Sequence, residues 1–127
     1  MADMKTPLAK VRGLGSAKDG THHWWVQRVT AIANIPLVIF MVISFVGNVG
    51  KSHAEWVAWL KQPFASVLVV LFVANFVYHM RLGLQVIVED YVHDKGTKIA
   101  SMLVITFACV LIAALSIFSV LRIAFGG

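Results

Sequence analysis

Charge and cysteine are what this chain has least of. Of its 127 residues only 13% are charged, six of them acidic, and there is one cysteine. A lone Cys109 excludes any disulfide within the chain, and in an apolar stretch it reads as a small packing residue. So little charge beside 59% hydrophobic residues and a mean hydropathy of +0.81 excludes a soluble domain of this size. Such domains average about half apolar and about a quarter charged. Also missing are a nucleophile–base arrangement, a phosphate-cradling glycine loop and zinc-ligand spacing, so independent catalysis is not expected. No internal repeat is visible, and a chain this short leaves no room for an inverted-repeat transporter.

What is present is three long apolar runs. Val29 to Gly50 carries no charge, Phe64 to Val88 is broken only by Arg81, and Ile99 to Leu121 carries none. Each is long enough to cross a hydrocarbon layer of roughly 30 Å, which takes about 20 helical residues. In lipid the backbone has to satisfy its own hydrogen bonds, so these runs are helices. The expectation is an all-α integral membrane domain. It has a polar arm over residues 1–24 and three transmembrane helices near 26–49, 64–89 and 98–122. The first run begins too late and is too long for the apolar core of a cleaved signal peptide, so it should be retained.

Basic residues set the expected orientation. Lys5, Lys10, Arg12, Lys18 and Arg28 precede or open the first run, and Lys95 and Lys98 follow the second, against Lys51, Lys61 and Arg122 on the other side. Seven against three places the N-terminus and second loop inside and the first loop and C-terminus outside. The net charge of +5 is then a topology signal, and the scattered cations exclude a nucleic-acid surface. The arm to about residue 20, with Pro7, Gly13, Gly15 and Gly20, reads as mobile or ordered by a partner. Trp24 and Trp25 then form an interfacial collar, as do Trp56 and Trp59 in the loop from Lys51 to Pro63, where a short interfacial helix is expected. Pro36 releases the carbonyl of Ile32, so a bend or a local polar contact is expected there. Asn34 reads as interhelical glue rather than a ligand. Cys109, Ala113 and Ser116 make a small-residue stripe that lets a neighbouring helix approach.

The segment His79-Met-Arg-Leu-Gly83-Leu-Gln-Val-Ile-Val-Glu-Asp90-Tyr91 carries the chemistry. Ionisable groups at membrane depth are costly and mark functional sites. Residues eleven apart on a helix differ by about 20° in azimuth and about 16 Å in height, so His79 and Asp90 share one stripe. Phe72, Asn75, Gly83 and Val86 fall within about 40° of His79 on the same stripe. Gly83, one turn from the imidazole, leaves room for a flat macrocycle. With no other ligand-type residue at that depth, haem iron suits the histidine better than zinc, which wants four protein ligands. Spacing alone leaves open a second reading, a buried histidine bonded to a neighbouring helix. The haem reading requires a partner chain for a second axial ligand. Asp90 and Tyr91 have the groups that a quinone head group needs, a phenol donor and a carboxylate. On spacing alone the ordinary reading, an acid and a tyrosine at the headgroup boundary, is favoured. Arg81 lies about 200° round the helix from His79, so it is off the stripe and its role is open, with Gln85 as a neighbour on its polar face.

Three features together resemble a known family, the smaller hydrophobic membrane-anchor subunit of bacterial succinate dehydrogenase, or respiratory complex II. They are His79-x-x-x-Gly83 ending in Asp90-Tyr91, the helix entry Arg28-Val-Thr30-Ala31-Ile32, and the three-span layout over essentially the whole chain. The resemblance implies that His79 is an axial ligand of a b-type haem shared with a cytochrome b556-type subunit. It implies that Tyr91 hydrogen-bonds ubiquinone with support from Asp90. Arg28, and less directly His22 or His23, would lie near the haem propionates or the quinone entrance. It further implies partners in an iron–sulfur subunit and a flavoprotein subunit, where succinate is oxidised, with membrane lipid around the anchor. Two rival readings stand beside it. One is a cofactor-free membrane scaffold or assembly subunit, and the other a fumarate-reductase-type anchor working in the opposite direction.

Overall fold

A computed structural model describes residues 4–13 and 20–126. Gly15 and Lys18 of the N-terminal arm lie outside the described residues. Where the arm is described it carries a short helix, α1, over Pro7–Val11. The reason is local. Proline at the first helical position has its φ already set, and the Thr6 hydroxyl accepts from the Ala9 amide at 3.2 Å. This helix buries none of its residues.

Three helices are long and apolar enough to cross a membrane: α2 (Gly20–Asn48), α4 (Pro63–Tyr91) and α5 (Lys95–Phe125). At 29 residues, α2 and α4 are each about 43 Å long at 1.5 Å per residue, well beyond the roughly 30 Å of a hydrocarbon core. Their ends therefore run on past the apolar runs into headgroup depth. That is why Trp24 and Trp25 sit on the first turns of α2 rather than ahead of it. The helix also passes through Pro36 without interruption.

Caps decide where the remaining helices begin. Gly50, at φ +80°, turns the chain after α2, a left-handed conformation that a side chain would strain. The expected interfacial helix follows as α3 (His53–Leu60), opened by a reciprocal capping box between Ser52 and Glu55. Aromatic rings tie it down, with Trp56 5.5 Å from Phe45 and Trp59 6.3 Å from Phe40. Pro63 starts α4, and Asp94 starts α5 by accepting from the Thr97 amide at 2.7 Å. That bond, with a second from the Thr97 hydroxyl, holds the Asp94 carboxyl below the usual carboxylate range.

Helix α4 lies in the middle, packed on α5 along one side and on α2 along another. The buried apolar residues reflect this: Ala65, Val69, Val77, Leu82 and Val88 belong to α4, and only Cys109 and Val120 to α5. Most large apolar side chains, among them Ile32, Phe45, Val104 and Phe118, point outward. No strand occurs among the described residues. The molecule is a multi-pass helical membrane protein with its apolar surface turned out.

Candidate functional site: the polar seam between α2 and α4

Two i, i+4 pairs face each other across the antiparallel α2 and α4. On α2 they are Thr30 and Asn34, and on α4 Asn75 and His79. The Asn75 amide nitrogen has two hydrogens and uses both, donating to the Thr30 carbonyl at 2.9 Å and to Asn34 Oδ1 at 2.7 Å. Asn34 is thus the interhelical contact expected of it, half a turn before Pro36. At the next level Thr30 Oγ1 lies 2.9 Å from His79 Nδ1. Thr30 is buried and His79 half-buried. The neighbouring-helix bond anticipated for a buried histidine is therefore present, but it uses one ring nitrogen only. Among the described residues no hydrogen bond reaches His79 Nε2.

The stripe above His79 is open. A Cβ built at Gly83 would meet nothing within 4 Å, so the space one turn from the imidazole is unfilled by this chain. Val86 is half-buried, and Asp90 and Tyr91 close α4 fully in the open, Tyr91 at 80% exposure. One continuous helix thus carries the ring, the gap and the terminal acid–phenol pair.

The other candidates are not gathered at the imidazole. Arg28 is exposed and holds its guanidinium 5.4 Å from the centre of the Trp24 ring, a cation–π contact on the collar. His22 is exposed. His23 differs: it lies seven residues, close to two turns, before Thr30 and so on the same face of α2. Its Nε2 is sealed from solvent with no hydrogen-bond partner, an orphan of a kind that native structures rarely leave. Arg81 faces the opposite side of α4, where its Nε donates to Thr106 Oγ1 of α5 at 3.2 Å. It lines a cavity of about 210 Å³ with Ala74, Val77, Tyr78 and Cys109. Gln85 does not share that contact; its amide donates to Glu89 Oε1 at 2.8 Å. Among the described residues no group of three or more His, Cys, Asp or Glu is placed to hold a metal ion. A metal held by His79 would take its remaining donors from outside the described residues of this chain.

Thr30 and Asn75 complete this seam, and of the two only Asn75 lay on the His79 stripe read from the sequence. The signal was available in the spacing. Polar residues four apart in one membrane helix, matched by polar residues four apart in another, mark a seam.

A membrane-spanning helical protein with one imidazole held in an interhelical seam is the class that fold and site define. A family model described as succinate dehydrogenase/fumarate reductase transmembrane subunit matches residues 2–113. The chain belongs to that family. It is 32% identical over 122 residues to the succinate dehydrogenase hydrophobic membrane anchor subunit of Rickettsia bellii, covering 95% of this chain and 89% of that one. To the protein of the same name from Paracoccus denitrificans it is 30% identical over 121 residues, covering 95% and 93%. A membrane anchor subunit from Reclinomonas americana is 32% identical over 91 residues, covering 69% of this chain and 76% of its own. The likeness to this family extends over nearly the whole length of the chain.

Proposed function

We propose that this succinate dehydrogenase membrane anchor holds one side of a b-type haem through His79 Nε2 and presents Tyr91 and Asp90 to a quinone. The observation that supports it best is the pairing of a seam-held imidazole, free at Nε2, with unfilled space at Gly83 one turn along the same helix. A porphyrin supplies four equatorial nitrogens, so this chain needs to give only one donor, and it has one. When bound, haem supplies a one-electron couple at its iron.

The chain's own work is holding and orienting. The α2–α4 seam fixes the ring, and Gly83 keeps the adjoining turn clear. The exposed Tyr91 hydroxyl donates to a quinone carbonyl oxygen, and the Asp90 carboxylate beside it holds or passes a proton. Quinone reduction takes up two electrons and two protons. In this reading the electrons start at succinate on a flavoprotein and arrive through an iron–sulfur protein. A cytochrome b partner brings the second axial ligand, and ubiquinone is the acceptor. The basic arm faces the cytoplasm, where it suits anionic lipid and the soluble partners. His23, with its orphaned Nε2, is the better placed of the two collar histidines to meet a propionate or the quinone entrance, while Arg28 stays with Trp24 on the collar.

Gly83→Leu tests the gap itself. Leucine favours a helix over glycine by roughly 0.5–1 kcal/mol and its Cβ meets no atom of this chain, so α4 stays intact. The purified complex is expected to keep its protein components and to lose most of its extractable haem. A full haem complement in that variant would contradict the reading.

A further inference from the structure

We infer that Thr30 is a positioning residue that fixes the tautomer and rotation of His79, so that Nε2 is the nitrogen left bare for a ligand. The inference rests on the haem reading above and adds a residue to it.

It follows from counting hydrogens. Thr30 Oγ1 lies 2.8 Å from the Val26 carbonyl oxygen and 3.1 Å from that of Gln27. Neither oxygen can donate, so the single hydroxyl hydrogen points at them. The third partner of the hydroxyl is His79 Nδ1 at 2.9 Å, and with that hydrogen committed the oxygen only accepts. The proton of the neutral imidazole is therefore on Nδ1, and the lone pair is on Nε2. With the proton on Nε2 instead, the hydroxyl would have to turn its hydrogen to Nδ1 and leave its oxygen facing the Val26 carbonyl oxygen at 2.8 Å with no hydrogen between them.

The seam makes this setting rigid. Asn75, one turn away on α4, grips the carbonyl of the same Thr30 and the Asn34 side chain, so α2 cannot slide along α4 without losing both. Thr30 is buried, which leaves no water to replace the hydroxyl. A bond of this kind to the far nitrogen of a ligating imidazole does two things. It holds the ring plane, and it raises the basicity of the ligating nitrogen, which favours the oxidised metal.

The test uses the intact membrane complex with Thr30→Val, Thr30→Ser and, as reference, His79→Ala. Valine keeps the shape and deletes the hydroxyl; serine keeps the hydroxyl. Thr30→Val is expected to raise the haem midpoint potential and to weaken haem retention by about 10–100-fold. Thr30→Ser should restore both towards wild type, with the protein components of the complex present in equal amounts in all three. Retention and potential unchanged in Thr30→Val, in a complex whose haem is lost in His79→Ala, would overturn the role of Thr30 and leave the ligand assignment standing. Equal damage in Thr30→Val and Thr30→Ser would overturn it as well, because shape and not the hydroxyl would then matter. Haem retained in His79→Ala would remove the reading on which the inference depends.

Discussion

Tyr91 ends its helix with a hydroxyl in the open, and that one atom separates two kinds of damage. Tyr91→Phe removes the donor while leaving the ring, the helix end and the exposed position unchanged. In the assembled complex it is expected to lower quinone reduction at least tenfold, the loss of roughly one hydrogen bond to a reacting oxygen at about 1.4 kcal/mol per decade. Succinate oxidation with a soluble dye as acceptor should stay unchanged. Equal loss of both activities would place Tyr91 in assembly rather than at the quinone. His79 differs from Tyr91 in being held on one side, through Nδ1, with no hydrogen bond at Nε2 among the described residues. Arg81 belongs to the other face of α4. Its hydrogen-bond partner is the neutral hydroxyl of Thr106, an arrangement that joins α4 to α5 without touching the seam.

Caps and seams decide what the helices do. Asp94 opens α5, and hydrogen bonds from the Thr97 amide and hydroxyl lower its pKa below the ordinary value. Its folded pKa lies below its unfolded one, so the cap's contribution is complete above the unfolded value. It is lost as pH falls through the folded value. Asparagine caps as well without titrating, so Asp94→Asn should abolish the acid-induced loss of amide-exchange protection over the first turn of α5. The same acid dependence in variant and wild type would assign it elsewhere.

The spans themselves were legible from three charge-poor runs, because lipid leaves no structure but a helix for such a run. Their ends were less so. Helices of 29 residues outrun the hydrocarbon, and polar turns such as His22–Trp25 continue a helix that composition alone would stop near residue 26. The short α1 is hidden from an apolar-period reading because a single capping threonine and a first-turn proline create it. The stripe from His79 to Asp90 was readable because it lies within one helix. Its partner Thr30 was visible only as a polar residue four before Asn34, since matching that pair to Asn75 and His79 requires knowing which faces of two helices meet. Interhelical hydrogen bonds of this kind contribute about 0.6 kcal/mol on average and up to about 1.7 in membranes. That is enough to choose a register among otherwise equivalent ones.

Taken whole, the molecule is built to be covered. Its accessible surface is 9372 Å², against about 6,700 Å² that scaling gives for a compact soluble protein of 14.0 kDa. Much of that surface carries large apolar side chains, as lipid-facing helices do. The buried residues concentrate on the central helix, α4, which is also the helix that carries His79, Gly83, Asp90 and Tyr91. The best-packed element thus carries these residues, and the open space at Gly83 is where, in the proposed reading, a haem would be shared with a partner.

That sharing is tested most directly by the reduced-minus-oxidised optical difference spectrum of the purified complex, wild type beside His79→Ala. The account predicts a b-type haem signal in the wild type that is lost or strongly diminished in the variant, with the anchor still inserted and its partners still bound. An undiminished signal in His79→Ala would contradict it.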